Sequence, residues 1–147
     1  MIFEKSLSVD RYEPLYTLIR KFEGLYLTAY LCPAGVVTVG YGTTGKDVRL
    51  GMKVTKEWAE SRMKDDCSFF INGVKKLCPE AHDMQVCALA SFAYNLGLNA
   101  LKNSTLRRKF NEGDVDGARR EILRWNKAGG KVLRGLTKRR MYEANLL

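Results

Sequence analysis

The amino-acid sequence predicts an α+β fold, a small antiparallel sheet near the N-terminus followed by a larger set of helices. Three observations predict it. Apolar residues step by three and four over 13–22, the run 25–44 drops that period for β-branched and aromatic residues between glycines, and the helical period returns from about residue 55 onward.

In the first helix Leu15, Leu18, Ile19 and Phe22 share a face, Pro14 suits the first turn and Gly24 suits the stop, so Glu23 is expected at a helix end. The next segment, LYLTAYLCPAGVVTVGYGTT, is punctuated by Pro33, Gly35, Gly40 and Gly42 and reads as a hairpin. Glu23 then sits at the helix-to-sheet junction, where one wall of a cleft can form. Thr55 can cap a long amphipathic helix carrying Ala59, Met63, Cys67, Phe70, Ile71, Val74 and Cys78.

The stretch 84–96 is apolar nearly all round, which predicts a buried central helix ending at Gly97, with His82 in a surface loop before it. A short helix is expected over 106–110. Asp114 can cap another, in which Val115, Ala118, Ile122 and Trp125 share a face and which Gly129-Gly130 breaks; a last helix spans 137–146. The expected organisation is a single domain, 1–147, with a small lobe over about 23–55 and a helical lobe over about 56–147, on which the first helix packs.

A chain of 147 residues is long enough to bury a real core. Its 25 Lys and Arg against 16 Asp and Glu leave a net charge of +9, which favours an anionic partner such as nucleic acid, anionic lipid or bacterial wall polymer. The basic cluster Lys127, Lys131, Arg134, Lys138, Arg139 and Arg140 invites a nucleic-acid reading, but no nucleic-acid motif accompanies it, so no nucleic-acid partner is expected. Cys32, Cys67, Cys78 and Cys87 form no CxxC pair and a single histidine cannot complete a zinc set; no metal and no cofactor are expected. Both disulfides and buried thiols remain open for these four. The N-terminus lacks the basic start and apolar run of a signal peptide, and no stretch approaches the ~20 apolar residues of a membrane span, so no stable membrane insertion is expected.

Glu23 is followed after intervals of nine and six positions by Cys32 and Thr38, all within the helix–hairpin unit. Taken singly, each has an ordinary explanation: a solvated carboxylate, a core thiol, a strand former. Together, with Tyr30, Gly35, Val39, Gly40 and Gly42 and with the later blocks SFAYNLG (91–97) and RWNKAGGKVLRGL (124–136), they resemble the phage lysozymes, the endolysins of glycoside hydrolase family 24, whose signature is Glu, eight residues, Asp or Cys, five residues, Thr. These blocks cover roughly half the chain; residues 45–80 match mainly in helical pattern.

The resemblance implies a muramidase that cleaves the β-1,4 bond between N-acetylmuramic acid and N-acetylglucosamine in peptidoglycan, with Glu23 as general acid and Cys32 and Thr38 around the attacking water. It also implies Tyr30, Gly42 and Asn95 as substrate-binding residues and Arg139 or Arg140 as a support for Glu23. A monomer is expected, accumulating in the host cytoplasm and reaching the periplasm or cell wall after release by a holin.

Physical chemistry makes these roles workable. A carboxyl at a helix end beside an apolar hairpin loses hydration, which favours its protonated, donating form, whereas an attached cation acts the other way. Cys32 replaces the commoner Asp, and a thiol of ordinary pKa near 8.5 is mostly neutral at pH 7, so it can serve as a thiolate base, a water-orienting group or a nucleophile. Two other functions compete with the muramidase: a lytic transglycosylase acting on the same bond without an attacking water, and a basic module that holds anionic polymer without cutting it.

Overall fold

The computed structural model describes residues 10–147; the signal-peptide reading of the N-terminus falls on residues outside that range. Helix α1 (Glu13–Glu23) begins with Pro14 in its first turn and ends where Gly24 turns the chain at φ +72°. Strands β1 (Tyr26–Leu31) and β2 (Val37–Gly40) pair antiparallel, Tyr30 opposite Thr38, with a bulge between Tyr26 and Tyr30. The sheet buries Ala29, Val39 and Val48 as a small core of its own.

Helix α2 (Lys56–Leu77) starts at Thr55, whose hydroxyl accepts from the Trp58 N–H, and buries Ala59, Met63, Cys67, Ile71 and Val74 at the expected spacing. Helix α3 (Asp83–Leu96) is buried from Gln85 through Ala93 and lies at the centre of the larger core, touching α1, α2, the short helix after it and the C-terminal helix. Around it fold α4 (Leu98–Lys102), α5 (Thr105–Asn111), α6 (Val115–Ile122), the two-residue strands β3 (Lys127–Ala128) and β4 (Lys131–Val132), and α7 (Arg134–Leu146). The architecture is mainly helical with a small antiparallel N-terminal sheet, the α+β class that the sequence predicts.

Four local expectations are refined. His82, exposed and just outside the helix as expected, also caps it: its ring accepts from the Gln85 N–H while the Gln85 side chain accepts from the His82 N–H, a reciprocal capping box in which imidazole does what a hydroxyl or carboxylate usually does. Helix α6 ends at Ile122, so Trp125 leaves its face and packs edge-on to Phe92, ring centroids 5.3 Å apart. Gly129-Gly130 does more than break a helix, since both take positive φ and turn the β3–β4 hairpin. Helix α7 starts three residues before Thr137, with Leu133 at its N-cap making no side-chain cap bond; Thr137 instead receives a bond from Asn126, 3.1 Å away. All four cysteines are free, which closes the question of their pairing.

Candidate active site

The end of α1 delivers Glu23 against two partners. Its Oε2 accepts from Arg139 Nη1 on α7 at 2.6 Å, 116 residues away in sequence. Its Oε1 faces the turn after β2, where Gly42 has φ +74° and where a Cβ would come within 2.6 Å of that oxygen. Gly42 therefore lets the backbone approach the carboxylate, a role only glycine fills at this conformation. The Glu23 side chain keeps 21% of its surface exposed, enough for a ligand to reach it.

Thr38 faces Tyr30 across the sheet, and opposed residues of an antiparallel pair project to the same side. Cys32 directly follows β1, its N–H donates to the Val36 carbonyl at 3.0 Å, and its thiol lies within hydrogen-bonding reach of the Thr38 hydroxyl. The backbone of Val36, with smaller help from Ala34, the Thr38 hydroxyl and Gly35, holds the Cys32 thiol below its ordinary value against a modest opposing effect of burial. The three remaining thiols are different in kind: burial pushes Cys67 up to about 12 and Cys78 and Cys87 each up to about 11. Among the four thiols, Cys32 is the one whose surroundings favour the thiolate. Burial, followed by the charges of Tyr26, Cys32 and Glu23, raises the Tyr30 phenol, so that ring lies within the field of both groups.

Two cavities adjoin Glu23 and Gly42, and Tyr30, Cys32 and Thr38 line neither of them. One, of about 300 Å³, is lined by Phe22, Glu23, Asn95, Leu136 and Arg139. The other, of about 210 Å³, is lined by Gly42, Thr44, Asp66, Phe70 and Tyr94. A larger cavity, about 670 Å³, lies away from both between α1 and α7 and contains no residue of the Glu23, Cys32, Thr38 set.

The structure separates the two arginines. Arg139 reaches Glu23, whereas Arg140, fully buried, turns to Asn95 Oδ1 at 2.8 Å and to Glu143. Asn95 lines the Glu23 cavity with its amide oxygen already engaged by Arg140. Glu143, unanticipated from sequence, is the hub: it is fully buried, accepts from Ser91, and lies 3.4 Å from Arg139 and 2.7 Å from Arg140. Burial raises its carboxyl, with both guanidiniums pulling the other way. Arg139 also donates to the Ser91 carbonyl at 3.2 Å, so its fork is fixed on two sides before it meets Glu23. The spacing Arg139, Arg140, Glu143 on one helix, at i+3 and i+4, is the sequence signal for this network.

The phage lysozyme family model matches residues 20–143. The chain belongs to the phage lysozyme family. It is 46% identical over 132 residues to an endolysin of Bacillus phage B103, a match covering 88% of the chain and 50% of that relative. The chain spans about half the length of the Bacillus phage relatives it matches. Among solved structures it resembles an endolysin from Escherichia coli O157:H7 phage FAHEc1, with TM-score 0.81 and 35% identity, covering 95% of this chain and 92% of that one. The muramidase domain of SpmX from Asticaccaulis excentricus matches with TM-score 0.83 and 33% identity, covering 95% and 96%.

Proposed function

We propose that this chain is a muramidase endolysin, a single catalytic domain that hydrolyses the β-1,4 bond between N-acetylmuramic acid and N-acetylglucosamine in peptidoglycan. The observation that carries the proposal is the Glu23 carboxylate, held through Oε2 by Arg139 and facing the Gly42 turn through Oε1, beside a hairpin that pairs Tyr30 with Thr38 and carries Cys32 just past β1. Family membership supports it independently.

In this mechanism Glu23 donates a proton from Oε1 to the departing glycosidic oxygen, since Oε2 is occupied by Arg139. A water held between Cys32 and Thr38 attacks the anomeric carbon from the other side; its proton passes to the Cys32 thiolate, and the configuration inverts. The Thr38 hydroxyl, stiff at χ1 in a strand, positions that water. Tyr30, Gly42 and Asn95 line the substrate path and Arg140 supports Asn95. The protein acts as a monomer without cofactor, and a separate holin releases it to the wall; among the described residues no helix is long and apolar enough to cross a membrane.

Purified protein should clear a suspension of chloroform-treated Gram-negative cells and release reducing ends, while Glu23→Gln stays folded and leaves the cells intact. A Glu23→Gln variant that clears at the wild-type rate refutes the assignment. Products lighter by one water, carrying a 1,6-anhydro ring, would make the enzyme a lytic transglycosylase instead.

A further inference from the structure

The turn that meets Glu23 is held by two helices as well as by its own strand. Residues 41–44 follow β2 and close on it through a reciprocal pair of backbone bonds between Val39 and Thr43, at 2.9 and 2.8 Å. Gly42 presents its backbone to Glu23 Oε1. Each of the other three residues is gripped by a helical side chain. The Tyr94 hydroxyl on α3 donates to the Tyr41 carbonyl at 2.5 Å, the Thr43 hydroxyl donates to Asp66 Oδ2 on α2 at 3.3 Å, and Arg62 Nη2, one turn earlier on α2, donates to the Thr44 carbonyl at 3.3 Å.

Asp66 stands at the centre of this grip. Its Oδ1 accepts from Arg62 Nε at 3.2 Å while its Oδ2 accepts from Thr43, and Arg62 is held in turn by Asp47 at 2.6 Å. A carboxylate serves both donors at once, whereas an asparagine offers a single acceptor oxygen in its place. Thr43 is 1% exposed, and among the described residues Asp66 is the one hydrogen-bond partner of its hydroxyl. A buried hydroxyl left without a partner is costly, so the Thr43 side chain follows the oxygen that Asp66 places. Asp66 also lines the cavity at Gly42 and Tyr94, yet both of its oxygens are taken by protein groups.

We infer that Asp66 is a positioning residue for the reaction: acting through Thr43 and Arg62, it fixes the 41–44 turn and so the surface that Gly42 sets against the Glu23 carboxylate. The inference rests on the muramidase reading, which gives the turn its bearing on turnover. Arg139 holds Oε2 from α7, and Asp66 holds from α2 the backbone against which Oε1 lies, so the carboxyl is confined between supports on different helices. A group that hands its proton to one particular oxygen gains from such confinement, because a misplacement of about 1 Å costs up to about 100-fold in rate. The grip is made within the protein, so its loss is felt in kcat and not in KM.

The test compares Thr43→Val, which keeps the shape and removes the hydroxyl, with Thr43→Ser, which keeps the hydroxyl and removes a buried methyl, alongside Asp66→Asn. Release of reducing ends from peptidoglycan is followed well below the melting temperature of every variant. If Thr43 only fills space, the serine is the more damaging change; if its bond to Asp66 matters, the valine is. Thr43→Val and Asp66→Asn should each lower kcat about tenfold with KM within about twofold of wild type, and Thr43→Ser should keep kcat within about twofold, on the scale of a displacement well under 1 Å. The combined Asp66→Asn/Thr43→Val protein should lose less than the product of the two single losses, since both changes break one bond. Asp66→Asn should also speed hydrogen exchange at the Thr43 amide, which is bonded to Val39. A serine variant as slow as the valine variant, a Thr43 amide that exchanges at the wild-type rate in Asp66→Asn, or a raised KM at unchanged kcat would each overturn the inference, the last by making Asp66 a substrate contact. Wild-type protein that releases no reducing ends would sink the muramidase reading, while the exchange rate at Thr43 would still report whether Asp66 sets the turn.

Discussion

Glu143→Gln tests whether the buried network, rather than Arg139 alone, sets the position of Glu23. The substitution keeps size and shape and removes one negative charge from a site where Arg139 is 3% exposed and Arg140 and Glu143 are 0% exposed. Two guanidiniums are left in the core, and Arg139 retains only Glu23 and the Ser91 carbonyl. Breaking a buried ion pair from one side costs about 3–5 kcal/mol, because the abandoned charge stays desolvated. For a domain of this size each kcal/mol moves Tm by roughly 2–4 °C, so calorimetry at pH 7 should record a fall of roughly 6–20 °C. Adding Arg140→Met should recover part of that loss, since it removes one of the stranded charges, and the double-mutant cycle measures the coupling directly. Turnover measured well below the new Tm should also fall, as the Arg139 fork is no longer held on its Glu143 side. A Tm within about 2 °C of wild type, where the unpaired-charge penalty predicts several times that, would refute the claim that Glu143 organises the site.

Three further outcomes are expected. Cys32→Asp should move the acid limb of the pH–activity profile to lower pH: an ordinary thiol titrates near 8.5 and an ordinary aspartate near 3.9, and the hydrogen bonds that already depress Cys32 make the displacement smaller than that difference of about 4.6; superimposable profiles would show that the thiol does not titrate in the rate-limiting step. Gly42→Ala should lower kcat/KM by about 100-fold, the scale of a 1 Å misplacement, because its Cβ must push Glu23 Oε1 from 2.6 Å, while the positive φ costs only about 1–2 kcal/mol of stability; equal losses in activity and folded fraction would contradict this. Thr55→Ala removes the α2 cap and should cost about 1 kcal/mol, or roughly 2–4 °C in Tm, with turnover unchanged, as read by thermal melts and turbidity clearing.

How much of the fold is legible in the sequence depends on where the forces act. The α1 stripe, the Thr55 cap, the stop at Gly97 and the hairpin of 25–44 are decided by neighbours within a few residues, and each appears where local chemistry puts it. The α4 segment, five residues beginning at Leu98, is too short to show a period and leaves no trace in the pattern. The start of α7 is hidden because Leu133 supplies no capping side chain and Gly135 interrupts the pattern, so that Thr137 resembles the cap. His82 reads as a loop residue because imidazole is an uncommon N-cap, although Gln85 three residues later is the clue.

The site divides along the same line. Glu23, Cys32 and Thr38 lie within one helix–hairpin unit, so their placement at the helix end and on the hairpin is legible in the local pattern. The choice between Arg139 and Arg140 is not, because adjacent helical residues point about 100° apart and only the docking of α7 on α3 decides which one faces α1. Glu143 supplies the reason for the choice. One turn along α7 it lies beside both arginines, and Ser91 on α3 donates to it, so the α3–α7 interface carries a buried anion that no apolar pattern announces. Arg140 is drawn inward to that anion and to Asn95, over the Phe92 ring, which leaves Arg139 as the guanidinium that extends to Glu23. The Glu23 carboxylate is thereby oriented by the core of the helical lobe. A change at Ser91 or Glu143, neither of which touches the proposed substrate path, should register first in how Glu23 is held.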